Sequence, residues 1–158
     1  MFDFSKIGMK PSYPAGYKTA ITDEQIAALE QHCGHPLPEN YKTILRNYNA
    51  GEPEAKYFDV IDKPTGVPLE WKLHKFYHLG EDKITPADIR WLIENYSEYM
   101  GPNTLPFADD GEQQIYFMKW IDNIPEVWFL AYEERPEPES FKVLDSFDEL
   151  LGALYVGD

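Results

Sequence analysis

Apolar positions recur along the chain at two spacings, one that suits helix faces and one that suits strands. Ile26, Leu29 and Cys33 fall on one helical face. Thr22 with Gln25 supplies a capping box, Ile21 with Ile26 a hydrophobic staple, and Gly34 a C-terminal stop. Tyr41, Ile44, Leu45 and Tyr48 form a second stripe, with Pro38 at a favourable first position and Gly51 closing the run. A third stripe, Ile89, Leu92, Ile93 and Tyr96, has Thr85 as its expected cap, Pro86 behind it and Ile84–Ile89 as staple. It stops at Gly101 and Pro102. The last helix pairs Ser146 with Glu149 as a capping box and puts Phe147, Leu150, Leu151 and Leu154 on one face.

Between these helices the period falls to two. Over residues 67–79, Val67, Leu69, Trp71, Leu73, Tyr77 and Leu79 alternate with more polar neighbours, and only Lys75 breaks the face. Residues 55–62, 105–108, 113–121, 126–132 and 141–144 complete the expected strands. Short Asp, Asn, Gly and Pro breaks between the later ones imply hairpins. The order of elements predicts an α+β fold, a mostly antiparallel sheet of about five or six strands flanked by four helices. Residues 1–19, with Pro11, Pro14 and Gly16, read as an extended arm ahead of one domain spanning residues 20–158.

Composition narrows the function classes. A chain of 158 residues can bury a core without disulfide or metal staples. Its single cysteine allows no disulfide within a monomer, which suits a reducing compartment. The amino terminus lacks the basic start and apolar run of a signal peptide, and no apolar run reaches the roughly 18–20 residues of a membrane helix. The expected location is the cytoplasm. The net charge is −14, and residues 109–158 carry 13 acids against Lys119, Arg135 and Lys142 alone. Such a chain repels phosphate backbones, so no nucleic-acid ligand is expected, and a basic protein is the natural complement. Acidity for solubility alone is the competing explanation.

The stretch TLPFADDGEQQIYF at residues 104–117 poses the main chemical question. Leu105 and Phe107 on one side, and Ile115 and Phe117 on the other, flank Asp110–Gly111, a hairpin-turn dipeptide. Asp109 and Glu112 are expected on the exposed tip. An EF-hand loop needs ligands at fixed offsets and a closing Glu, which this run lacks. His32, Cys33 and His35, with His74 and His78 four residues apart on an expected strand, are candidate zinc ligands. Packing accounts for them better: Cys33 lies on an apolar stripe, and His32 and His35 bracket a helix end. Ser146 is a cap, and Ser5, Ser12, Ser97 and Ser140 lack a nucleophile-elbow context. No phosphate-binding glycine loop exists, and no cofactor or metal is expected.

The segment LEQHCGHPLPENYKTILRNYNAG, residues 29–51, resembles the hallmark of the SUKH superfamily, which includes the Smi/Knr proteins. The matching positions are Leu29, Gly34, Leu37, Pro38, Tyr41, Ile44, Leu45, Tyr48, Asn49 and Gly51. LPFADDGEQQIYF, with Pro106 and Gly111, is similar to the family's second signature, and VLDSFDELLGAL, with Ser146 and Phe147, to its closing helix. Ala50 stands where the family's first turn glycine belongs, and residues 111–114 are poorer in glycine than usual, so the turns diverge. The resemblance implies helices on a curved antiparallel sheet and no catalytic residues. In bacteria it implies an immunity protein that binds and blocks a cognate toxin.

A general intracellular regulatory or protein-binding module of the same fold is the alternative, and a small metal-dependent enzyme using the His/Cys cluster is a further one. For the toxin reading, a basic, nuclease-like partner would meet a sheet rim carrying Asp109, Asp110, Glu112, Glu133, Glu134, Glu137 and Glu139. Trp120 and Trp128 are the expected aromatic anchors.

Overall fold

The computed structural model describes residues 2–10, 21–49, 51–80, 86, 88–112, 114–131 and 137–157. Helix α1 (Asp23–Cys33) opens on the expected reciprocal box. The Thr22 hydroxyl accepts from the Gln25 N–H at 3.1 Å, and the Gln25 side chain accepts from the Thr22 N–H at 2.9 Å. Gly34 ends the helix in the left-handed region, at φ 77°. Helix α2 (Glu39–Tyr48) begins one residue after Pro38, which caps it without a side-chain bond. It stops at Tyr48 rather than running to Gly51. The buried Asn49 side chain breaks away instead to exchange hydrogen bonds of 2.8 and 2.9 Å with the Leu79 backbone. Gly51 is needed for a different reason. A Cβ there would collide with the Met9 methyl group and the Tyr48 side chain.

Helix α3 (Ile89–Met100) starts later than its sequence signals suggest. Its cap is Asp88, which accepts from the Arg90 N–H at 2.9 Å. Thr85 and Ile84, the expected cap and staple, lie outside the described residues. Asp88 prevails because its fully buried carboxylate also binds the Gly80 N–H at 2.8 Å and the Arg90 guanidinium at 2.8 and 3.0 Å. Helix α4 (Phe147–Ala153) has Ser146 accepting from the Glu149 N–H at 3.1 Å. The return bond goes one residue further back, from the Asp145 N–H to the Glu149 carboxylate.

Strands β1 (Tyr57–Ile61) and β2 (Pro68–Lys72) form a two-stranded antiparallel sheet. Strands β3 (Lys75–Phe76), β4 (Thr104–Asp109), β5 (Ile115–Ile121), β6 (Ile124–Ala131) and β7 (Glu139–Leu144) form a second, in chain order and antiparallel throughout. This is the expected α+β fold, with one correction: the strand expected over 67–79 is two strands in two sheets. The Leu73 N–H bonds Lys56 at 2.7 Å, on the side of the first sheet. The His74 N–H bonds Asp109 at 2.8 Å, on the side of the second. The chain changes sheets at one peptide, and alternation alone cannot register such a crossing. His74 and His78 therefore do not share a strand face.

The β4 register shifts between Pro106 and Ala108, leaving Phe107 as the bulged residue. Its fully buried ring meets Tyr41, Phe76, Tyr116 and Phe147 at centroid separations of 5.2–6.4 Å. The bulge thus ties α2 and α4 to the sheet. Helix α4 also packs on β1, β6 and β7, while α3 packs on β4 and β7. Residues 2–10 join the same body: Phe4–Lys6 make one 3-10 turn, and Phe4 and Ile7 are buried. Residues 1 and 11–19 of the expected arm lie outside the described residues.

Candidate partner-binding surface

An up-and-down order puts alternate connections at opposite ends of a sheet. The register places Asp109 opposite Ile115, Ile115 opposite Leu130 and Ala131 opposite Glu139. The β4–β5 and β6–β7 connections therefore share one end, and the Asp122–Asn123 turn of β5–β6 lies at the other. This brings Asp109, Asp110 and Glu112 to the same rim as Glu137 and Glu139. Glu133 and Glu134 lie outside the described residues.

Asp109 is not on an exposed tip, as the sequence had suggested. Its side chain is only 19% exposed, and its Oδ1 lies 3.2 Å from His74 Nδ1 while accepting from the Gly111 N–H at 3.2 Å. Burial holds its pKa above the ordinary carboxylate value, against the opposing pull of His74. Asp110 folds back to accept from the N–H groups of Glu112 and Gln114 at 2.8 and 3.1 Å. Gly111, at φ 89°, makes this five-residue connection possible. The acids shape the turn as well as charging it.

Beside the turn, against β2, lies a cleft of about 270 Å³. Trp71, Tyr116 and Phe129 line it with rings 4.9–6.4 Å apart, and Glu70, Lys72, Asp110 and Glu112 border it. The Tyr116 hydroxyl donates to the Lys72 carbonyl at 2.7 Å. Burial, then Asp110 and Asp109, raises that phenol's pKa, so it stays protonated.

Glu70 and Lys72, on the border of the cleft, belong to the outward face of the β1–β2 hairpin. Alternation puts Phe58 and Trp71 inward, and Asp59, Glu70, Ile61 and Pro68 outward. Tyr155 extends this face by exchanging two backbone hydrogen bonds with Tyr57, at 2.7 and 3.1 Å. Its hydroxyl oxygen lies 2.7 Å from Asp59 Oδ1 and 2.9 Å from Glu70 Oε2. The Asp59 carboxylate chiefly, with some burial and then Glu70, raises the Tyr155 pKa.

The expected tryptophan anchors sit elsewhere. Trp120 is near the opposite end of β5, 5% exposed and stacked on His35 at 5.5 Å. Trp128 is half-buried on the other face from Phe129, with Lys119 Nζ 4.3 Å from its ring centroid. Among the described residues, no group of three or more His, Cys, Asp or Glu is placed to hold a metal ion. Cys33 is buried against the carbonyls of Glu30 and His35, His74 pairs with Asp109, and His78 is buried beside Asp88. A larger, mostly apolar groove of about 430 Å³ lies between α1 and α3, but the cation on its rim, Arg90, is committed to Asp88.

The sequence profile of the SMI1 / KNR4 family (SUKH-1) matches residues 20–153. The chain belongs to this family. It is also 29% identical over 152 residues to the SPbeta prophage-derived uncharacterized protein YokK of Bacillus subtilis (strain 168). That alignment covers 87% of this chain and 77% of the relative. No solved structure matches. Within the fold, the SUKH motif residues are mostly structural: Leu29, Leu37, Tyr41, Leu45, Asn49 and Phe147 are buried, and Gly34 and Ser146 cap helices. Pro106 is buried at the β4 bulge. No described helix of this SUKH chain is long and apolar enough to cross a membrane.

Sequence reading missed Asp59, Glu70, Trp71 and Tyr155. Alternation predicts which side of a strand each residue takes, but only the register brings Asp59 opposite Glu70.

Proposed function

We propose that this SUKH chain is a non-enzymatic, cytoplasmic immunity protein that binds and neutralises a cognate bacterial toxin with a basic, nuclease-like surface. The observation that carries this reading is the convergence of acidic connections at one end of the sheet. A nuclease needs a basic surface to hold phosphate. An acidic rim competes for that surface, speeds encounter and selects the partner. The residues engaged are Asp110, Glu112, Glu137 and Glu139, with Glu133 and Glu134 from the same connection; Asp109 supports the turn behind them.

The test is co-expression with the product of a toxin gene adjacent to this one. Protection of the cells, and a complex whose association slows steeply as salt rises, are the expected results. Neutralising Glu133, Glu134, Glu137 and Glu139 together slows association further without unfolding the protein. A toxin that neither binds nor is blocked sinks the immunity reading. Salt-independent binding that ignores the quadruple change moves the interface elsewhere.

A further inference from the structure

We infer that the outward face of the β1–β2 hairpin, with Tyr155 laid along it, is a docking surface for an arginine side chain of a basic protein partner. This rests on the protein-binding reading above, and it supplies the buried contact that acidic loops alone lack. Of the eight exposed large apolar side chains among the described residues, Ile61 shares this face with Asp59 and Glu70, and Tyr155 is bridged alongside it; Leu69, opposite Val60, falls on the other face. The carboxylates add a specific chemistry. Asp59 and Glu70 are directly opposite each other. Tyr57 spends its backbone groups on Tyr155, so Tyr57 and, two residues on, Asp59 face β2 in the closer, non-hydrogen-bonded kind of pair.

Like charges in that position destabilise a sheet. Tyr155 carries one proton and lies within 2.9 Å of both carboxylates, so its hydroxyl can donate to only one at a time. A guanidinium offers several donors in a fixed fork and matches this unmet demand better than an ammonium. The Tyr57 and Tyr155 rings, 6.3 Å apart, provide π faces beside it, and Ile61 and Pro68 supply apolar flanks. The face is continuous with the acidic rim through the cleft that Glu70 and Lys72 share with Asp110 and Glu112.

The test is a nuclear magnetic resonance titration of the full, isotope-labelled chain. The probes are an end-blocked pentapeptide Val-Leu-Arg-Leu-Val and its lysine and citrulline counterparts. The arginine peptide is expected to shift the amides of Asp59–Ile61, Glu70 and Tyr155, and to bind at least tenfold tighter than the citrulline peptide and several-fold tighter than the lysine peptide. Asp59→Asn with Glu70→Gln should abolish that preference while raising the urea midpoint, because the repulsion is relieved. Equal binding of the three peptides, no shift with any of them, or a lower midpoint in the double variant overturns the inference. So do shifts confined to Asp110–Glu112 and Glu139, although that outcome leaves the immunity reading standing. Failure of toxin protection in cells, measured separately, removes the immunity reading and not this surface.

Discussion

Replacing Tyr41 by Phe should stabilise the protein, although it deletes a polar group from the centre of a family motif. Tyr41 is fully buried, and its hydroxyl has no hydrogen-bond partner among the described residues. Its ring packs edge-on against Phe107 and Phe147 at 6.4 and 5.4 Å, contacts that Phe retains. An unsatisfied buried hydroxyl costs about 1–3 kcal/mol. The void left by one oxygen, on the order of 10 Å³, costs only about 0.2 kcal/mol at roughly 24 cal/mol per Å³. The net expectation is a gain of about 1 kcal/mol, or about 2–4 °C in Tm for a chain of this size. Urea denaturation of both proteins at pH 7, with the slope unchanged, measures it. A loss of 1 kcal/mol or more would refute the reasoning, because the oxygen would then be satisfied in solution.

Asp88→Ala should cost about 2–4 kcal/mol in the same assay, the lower end applying because the Arg90 side chain keeps 35% of its exposure. Asp88→Asn should lose less, since an amide oxygen can still accept from the Gly80 N–H; equal losses would contradict the hydrogen-bond account. Burial lowers the His78 pKa to about 4 from the ordinary 6.5. The unfolded chain therefore takes up this proton first, and stability contributed above pH 6.5 is lost as pH falls toward 4, by about 2 kcal/mol between pH 7 and 5. A His78 ring resonance titrating near 6.5 in the folded protein would refute this. Gly111→Val should cost about 1–2 kcal/mol, because φ is 89° and the new Cβ meets the His74 side chain at 3.4 Å. Asp110→Ala should cost about 1 kcal/mol for its two lost backbone bonds; a harmless change there would return the turn to the glycine alone.

The parts of the fold legible in the sequence were those set by local physics. Thr22 with Gln25, Gly34 and Ser146 act within a few residues, so their spacing locates α1 and α4. The third helix was misplaced because Asp88 is chosen by a partner outside its own turn, Gly80, together with the neighbouring Arg90 guanidinium. The crossing at Leu73–His74 was hidden because apolar alternation runs on through it from Trp71 and Leu73 to Tyr77 and Leu79, and alternation says nothing about which sheet accepts a strand. The acidic loops were visible as composition, and their meeting at one rim required only the antiparallel order. Trp120 was misjudged because its expected role ignored His35, which covers it from the end of α1.

Because β4 to β7 run up and down, the connections at the charged end are separate inserts, each anchored by its own hairpin. Their length and charge can drift without disturbing the bulge at Phe107 or the aromatic centre beneath it. Doubling such a loop costs only about 0.6 kcal/mol in closure entropy. Under the immunity role proposed above, selection against a changing toxin would rewrite the rim quickly while the scaffold stays fixed. Relatives that keep the helices and the bulge should diverge first, and most, in those two loops.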